Sequence, residues 1–176
     1  MPSVDTLRMD ARQALADQVP QKVNEPHGRS LAPEMLRVVQ PEFLEVAVLV
    51  IEDEVLIGMM VASILEDIGF RSVTIAANAE QALQAADAND FGLLVSDIIL
   101  EHSKLNGIDI VVSILQKKPV PVVFITAHAG VGELQRITLE TPRAAVLRKP
   151  VTHRELTNAI AALTATWRTS LDGSDC

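Results

Sequence analysis

Polar side chains stand directly after four of five short apolar segments in this sequence. Glu52 and Asp53 follow the first segment, and Asp97 follows the third. Thr126 ends the fourth segment, and Lys149 comes shortly after the fifth. These groups suit phosphoryl transfer, because carboxylate oxygens bind Mg²⁺ and positive charge offsets the charge of a phosphoryl group. One carboxylate would then be the nucleophile and would form an acyl phosphate.

Each of these residues alone has a simpler explanation. An Asp after a strand often only caps the next helix, and a lone Lys is most often a solvated charge. Their joint occurrence among otherwise apolar strands favours the chemical interpretation. Ligands of open parallel sheets bind beyond the carboxyl ends of the strands. We therefore expect these side chains in one crevice, provided that strands one, three, four and five are neighbours.

The elements that must position these residues begin near residue 46, where short apolar runs alternate with helical patterns. Strands are predicted at 46–51, 71–75, 92–96, 121–126 and 144–147. Helices are predicted at 54–68, 78–88, 107–116, 131–139 and 152–166. Gly69 should close the first helix, and capping-box patterns open the second and the last. Strict alternation predicts one α/β domain with a parallel sheet and helices on both faces.

Composition and charge exclude several classes of protein. The chain has 176 residues, of which 48% are hydrophobic, so it can bury a core and is not globally disordered. A net charge of −8 disfavours direct nucleic-acid binding. The single cysteine, Cys176, makes no internal disulfide. We see no signal peptide and no run long enough for membrane insertion, and we expect a cytoplasmic protein.

The order and spacing of the motifs resemble the receiver domain of two-component response regulators. The matching segments are VLVIEDE, LLVSDI, FITA and LRKP, and the resemblance extends over most of the regular part of the chain. It implies a doubly wound five-stranded α/β sheet with the flavodoxin-like strand order 2-1-3-4-5. It also implies a phospho-accepting signalling domain that catalyses its own phosphorylation and dephosphorylation, and not an enzyme acting on a separate substrate.

The resemblance implies a role for each matching residue of the phosphoryl site. Asp97 is the expected phospho-acceptor, Thr126 the switch hydroxyl and Lys149 the phosphoryl contact. The donor would be a histidine kinase or a histidine phosphotransfer protein. The output would be contact with a downstream protein of unknown identity, or relay of the phosphoryl group. The sequence leaves a homodimer open.

Mg²⁺ is the cofactor that the resemblance implies. Asp53, Asp97 and the backbone carbonyl of Ile99 are its expected protein ligands, and Glu52 is expected to act through water. Because three carboxylates would share a crevice with one lysine, like charge should raise the pKa of at least one of them.

Two features depart from the family pattern. The loop between Asp97 and Gly107 is longer than usual, as in receivers of alphaproteobacterial stress-response regulators. Val146 stands three positions before Lys149, where many receivers carry an aromatic residue. These differences affect how a switch would work and leave the expected phosphorylation unchanged.

The chain divides by composition into three parts. We assign 1–44 to a largely flexible N-terminal extension, 45–167 to the receiver domain and 168–176 to a C-terminal tail. Since neither end is long enough for an effector domain, we expect a single-domain response regulator. The first helix is apolar on almost all sides, so its outer part could dock a kinase helix bundle.

Two other functions are consistent with parts of the sequence. A receiver fold could bind partners without phosphorylation, although the complete set of polar residues argues against this. A phosphohydrolase of the haloacid dehalogenase type also uses an Asp nucleophile, but it needs a second Asp two residues later, where this chain has Ile99. No GxxxxGK[ST] segment supports a nucleotide-binding loop.

Overall fold

The computed structural model describes residues 39–101 and 103–171, with side chains described up to residue 166. Most of the predicted N-terminal extension lies outside the described residues. The last residues of the predicted C-terminal tail, 172–176, also lie outside them.

Five parallel strands form one sheet. They are β1 (Ala47–Ile51), β2 (Ser72–Ala76), β3 (Phe91–Ser96), β4 (Val122–Thr126) and β5 (Ala145–Arg148). Their order is β2-β1-β3-β4-β5, as predicted. Each strand lies within one residue of its predicted bounds. The apolar runs of β1, β3 and β4 are typical of central parallel strands buried on both faces.

Five α-helices connect the strands and follow the last one. They are α1 (Val55–Ile68), α2 (Ala79–Ala88), α3 (Gly107–Leu115), α4 (Val131–Glu140) and α5 (His153–Leu171). The last helix continues past the end expected at residue 166. Gly69 ends α1 in the left-handed conformation with φ +118°, as its position after the apolar pattern predicted.

Local side-chain hydrogen bonds begin two of the helices where the sequence placed them. Asn78 accepts from the Gln81 amide at 3.0 Å, and the Gln81 side chain accepts from the amide of Ala77. Glu155 Oε2 accepts from the Thr152 amide at 2.9 Å, while Thr152 Oγ1 accepts from the Glu155 amide. Both capping boxes therefore satisfy backbone amides at the helix start that have no hydrogen-bond partner within the helix.

Alternating side chains of the sheet pack into two separate hydrophobic cores. Val48 and Val50 of β1 pack with residues of α1 and α5, while Leu49 and Ile51 pack with residues of α2, α3 and α4. Successive residues of a strand point to opposite faces, so one strand contributes to both cores. The helices therefore cover both faces and leave the carboxyl edge of the sheet open.

The segment before β1 packs on the domain. A short 3-10 helix spans Pro41–Glu45, and Val39 is only 3% exposed. The rings of Phe43 and Phe70 meet edge to face with centroids 6.1 Å apart. The packed domain therefore includes residues 39–44, which the composition had assigned to the flexible extension. Their few apolar side chains are buried by tertiary contacts that no local pattern reveals.

Candidate functional site

The strand register brings the expected site residues to one edge. Ile51 of β1 is paired with Ser96 of β3, so Glu52 and Asp97, the next residue after each strand, lie side by side. The Asp97 amide donates to the Ile51 carbonyl at 2.9 Å, which continues the pairing by one step. Lys149 follows β5, and its amide donates to the Thr126 carbonyl at 3.0 Å.

Lys149 joins the two carboxylates directly. Its Nζ lies 2.6 Å from Asp97 Oδ2, and 2.7 Å and 2.9 Å from the two oxygens of Glu52. Glu52 is 3% exposed and Asp97 is 8% exposed. Buried carboxylates need paired charge or hydrogen bonds, and this ammonium group supplies both. The Lys149–Pro150 peptide bond that follows is cis.

Burial is the main influence on the pKa of Glu52. It raises the pKa above the ordinary 4.5; hydrogen bonding and charge from Lys149 oppose this effect, and the Asp97 charge adds to it weakly. Burial is the largest influence on the pKa of Lys149 and lowers it, but the hydrogen bonds and charges of Asp97 and Glu52 together outweigh it, and the pKa rises above 10.5. A raised carboxyl pKa was expected, yet desolvation and not like charge is its largest cause.

We predict that Glu52→Gln flattens the pH dependence of stability in the metal-free protein. The folded state binds the Glu52 proton more tightly than the unfolded chain does. The stabilisation that this tighter proton binding gives the folded state is therefore complete below pH 4.5. It is lost as the pH rises through the raised pKa. A tenfold difference in proton affinity between the two states corresponds to about 1.4 kcal/mol of stability. Urea denaturation in the presence of a chelator, from pH 4.5 to neutrality, measures this. The unfolding free energy of wild type should fall relative to that of Glu52→Gln as the pH rises.

Glu155→Gln is the control for that pH profile. Hydrogen bonds from Thr152 lower the pKa of Glu155, so its contribution is present above pH 4.5 and is lost as the pH falls through the lowered pKa. Its effect therefore lies on the acid side, opposite to that of Glu52. Parallel profiles for wild type and Glu52→Gln above pH 4.5 would contradict the assignment.

The other expected site residues are Thr126, Ile99 and Asp53. Thr126 is buried at the end of β4, and its hydroxyl donates to the His128 carbonyl at 2.9 Å. The Ile99 amide donates to Asp97 Oδ1 at 3.2 Å. Asp53 is half-buried between Glu52 and the start of α1. The structure thus brings Glu52, Asp97 and Lys149 into contact, while the Thr126 hydroxyl is directed at its own loop.

Gly107 supports the backbone of the acidic residue after β3. Its amide donates to the Ile98 carbonyl at 2.8 Å. A Cβ added at this glycine would lie 1.7 Å from the Asp97 carbonyl oxygen and 2.6 Å from Ser96 Oγ. The loop that begins at Asp97 therefore returns to it at Gly107, and only a residue without a side chain fits there.

A capping box that sequence reasoning missed ends this loop. The Asn106 side chain accepts from the Asp109 amide at 2.9 Å, and Asp109 Oδ2 accepts from the Asn106 amide at 3.3 Å. The Asn-x-x-Asp spacing before an apolar helix was the available signal, since Asn is a favoured N-cap residue and an acid at N3 closes the box.

The donor atoms at this edge have the chemistry that Mg²⁺ prefers. Among the side chains of residues 39–101 and 103–166, no group of three or more Asp, Glu, His or Cys is placed to hold a metal ion. Mg²⁺ is usually held by one or two carboxylates with several waters, and does not need such a cage. Two strand-end carboxylates with a nearby backbone carbonyl therefore fit this ion by type.

Comparison with known proteins decides the family. The family model of the response regulator receiver domain matches residues 48–161. The chain belongs to this family. The match covers all five strands except Ala47, the first residue of β1, together with the first part of the last helix. It confirms the predicted family, whereas a closer placement among stress-response receivers stays a prediction.

Individual relatives of this receiver agree with that assignment. The transcriptional regulatory protein PdtaR of Mycobacterium tuberculosis is 31% identical over 128 residues, covering 72% of this chain and 61% of PdtaR. The phyllosphere-induced regulator PhyR of Methylorubrum extorquens is 35% identical over 82 residues, covering 46% of this chain and 30% of PhyR. The chain thus spans less than two thirds of the length of these curated relatives.

A solved structure supports the receiver fold independently. The CheY-like response regulator receiver domain protein of Methanospirillum hungatei superposes with a TM-score of 0.64 at 24% identity. The alignment covers 71% of this chain and 98% of that one. In the part of the chain that the structure describes, no helix has the length and apolar character needed to cross a membrane.

Proposed function

We propose that this receiver accepts a phosphoryl group on Asp97. The observation that carries the proposal is the contact between Asp97 and Lys149 at the carboxyl edge of the sheet, with Nζ 2.6 Å from Oδ2. A carboxylate held beside a permanent positive charge can attack phosphorus while that charge offsets the charge of the phosphoryl oxygens. Asp97 is buried enough to limit water, yet it lies at the open edge.

The donor chemistry that fits this site is a phosphohistidine. A carboxylate oxygen of Asp97 attacks phosphorus and forms an acyl phosphate, and the phosphorus–nitrogen bond to the imidazole breaks. The imidazole leaves with the electron pair of that bond and takes up a proton. Lys149 is already in contact with the attacking carboxylate and can follow the phosphoryl oxygens without a large movement.

Mg²⁺ is the cofactor that we propose for this step. Asp53, Asp97 and the Ile99 carbonyl would hold it, with Glu52 acting through water. When bound, it supplies charge that offsets the phosphoryl oxygens during an in-line displacement. The contacts of Glu52 and Asp97 with Lys149 keep these carboxylates at the edge of the sheet before a metal arrives.

An apolar surface beside this edge suits a helical partner. Large side chains on the first turns of α1 are exposed, and Leu56 is 83% exposed. Its exposed neighbours on that surface are Val55, Met59 and Met60. Such patches often mark interfaces, and methionines adapt to different partners. We propose that a histidine kinase or a histidine phosphotransfer protein docks here, in the cytoplasm, and brings its phosphohistidine to Asp97.

We further propose that the phosphorylated receiver acts through contact with a downstream protein or relays the phosphoryl group, and does not turn over a separate substrate. The test of the proposed function is mass spectrometry of the protein after incubation with acetyl phosphate, with and without Mg²⁺. A mass gain that maps to Asp97 and requires Mg²⁺ supports it. A binding module that works without phosphorylation would show no gain under either condition.

We predict that Thr126→Ala still takes up the phosphoryl group but loses the accompanying change in the β4–α4 loop. The Thr126 hydroxyl now donates to the His128 carbonyl and would have to release it to donate to a phosphoryl oxygen. Hydrogen exchange across residues 127–140, with and without beryllofluoride as phosphoryl mimic, measures this. Val146→Ala is the control, because this half-exposed side chain lacks the bulk of an aromatic lever. Equal changes in wild type and Thr126→Ala would exclude Thr126 as the switch.

A further inference from the structure

An ion pair joins α4 to α3 at the side of the receiver. Arg136 Nη2 donates to Asp109 Oδ1 at 2.8 Å, and Arg136 Nε donates to Glu140 Oε1 at 2.9 Å. The side chains of Arg136 and Asp109 are 39% and 35% exposed, so the pair is partly shielded from water. Charge-assisted hydrogen bonds of an arginine fork are directional as well as attractive. This contact therefore restrains α4 relative to α3.

Asp109, the third residue of α3, also contacts the end of the loop that begins at Asp97. Its other oxygen closes the capping box with Asn106. The next residue in the chain, Gly107, rests against the Asp97 carbonyl, where a Cβ would have no room. A continuous series of contacts therefore runs from the Asp97 backbone through Gly107 and Asp109 to Arg136.

The rest of α4 is weakly anchored. Of its ten residues, all of which the structure describes, Ile137 is the one that is buried. Val131 and Leu139 are exposed, and the N-cap residue before the helix is Gly130, which has no side chain to cap it. Elements with few buried contacts open and shift at low cost in free energy. The Arg136–Asp109 pair is therefore one of the contacts that hold this helix against α3.

We propose that Arg136 is a positioning residue whose pair with Asp109 restrains α4 in the unphosphorylated receiver and sets how readily α4 moves when Asp97 is modified. The restraint itself follows from the resting structure. Its effect on the response rests on the proposed function. Because the pair links α4 to the far end of the Asp97 loop, displacement of either element strains the other.

The experiment compares the full chain with Arg136→Ala, Asp109→Asn and the double variant. Asparagine at 109 keeps an oxygen for the Asn106 amide but loses the charge that pairs with Arg136. Arg71→Ala is the matched control, since Arg71 pairs with Glu45 in an exposed contact away from this site. The first readout is amide hydrogen exchange of α4 in metal-free protein. The second is the affinity for beryllofluoride in the presence of Mg²⁺.

In Arg136→Ala we expect α4 amides to exchange about threefold to fivefold faster and beryllofluoride to bind more tightly by a similar factor, the range for one partly exposed ion pair. The double variant should match Arg136→Ala, Arg136→Lys should restore part of the effect, and Arg71→Ala should leave both readouts unchanged. Unchanged exchange in Arg136→Ala, additive effects in the double variant, or faster exchange with unaltered affinity would overturn the proposal. A wild type that binds no beryllofluoride would instead refute the proposed function, and the exchange data would still test the restraint.

Discussion

Asp97→Asn abolishes phosphoryl uptake from acetyl phosphate, because an amide has no carboxylate oxygen to form the acyl phosphate. The substitution preserves the shape of the side chain. It also keeps an oxygen that can accept from the Ile99 amide, as Asp97 Oδ1 does now. Lys149 retains Glu52 as a partner. The fold should therefore persist while the mass gain disappears, which intact-protein mass spectrometry measures directly.

The matched control for this loss is Asp90→Asn. Asp90 immediately precedes β3, at the end opposite to Asp97, and it is exposed and paired with Lys118. The change in charge is the same, and we expect full uptake. A mass gain that persists in Asp97→Asn and maps to Glu52 or Asp53 would contradict the assignment of Asp97 as the acceptor.

Gly107→Ala should destabilise the receiver by about 3 kcal/mol or more, the upper part of the range for inserting a methyl group into a packed site. The added Cβ would lie 1.7 Å from the Asp97 carbonyl oxygen, so either the start of α3 or the backbone of Asp97 must move. Movement of Asp97 would also disturb its contact with Lys149 and slow phosphoryl uptake. Urea denaturation and the rate of mass gain measure the two effects.

Gly132→Ala is the control for that substitution. Gly132 lies in the first turn of α4, and an added Cβ would meet nothing within 4 Å. Alanine in a helix is favoured over glycine by about 0.5–1 kcal/mol, so this variant should be slightly more stable than wild type. If both variants showed the same stability as wild type, the close approach of Gly107 to Asp97 would be wrong.

Much of the fold could be predicted because its signals are local. Continuous apolar runs predicted the central strands, since a parallel strand buried on both faces is mostly apolar, and the more polar β2 lies at the edge of the sheet. Gly69 and the Thr152–Glu155 capping box marked helix ends through contacts within a few residues. The order of acidic, hydroxyl and basic residues along the chain predicted that they share one edge of the sheet, because parallel strands all end at the same edge.

The remaining features depend on distances between segments far apart in the chain, which no local pattern encodes. Sequence alone could place Thr126 near the crevice, but only the structure directs its hydroxyl to the His128 carbonyl. Like charge was expected to dominate the carboxyl pKa, whereas the depth at which Glu52 is buried makes desolvation the larger cause. The packing of Val39 and the pair between Arg136 and Asp109 arise in the same way. Residue type and strand period are local properties, so they establish without further information which chemical groups stand at the edge of the sheet. Tertiary packing sets which of these groups touch, how deeply each is buried and which helix is held loosely, because those properties depend on how the assembled elements fit together.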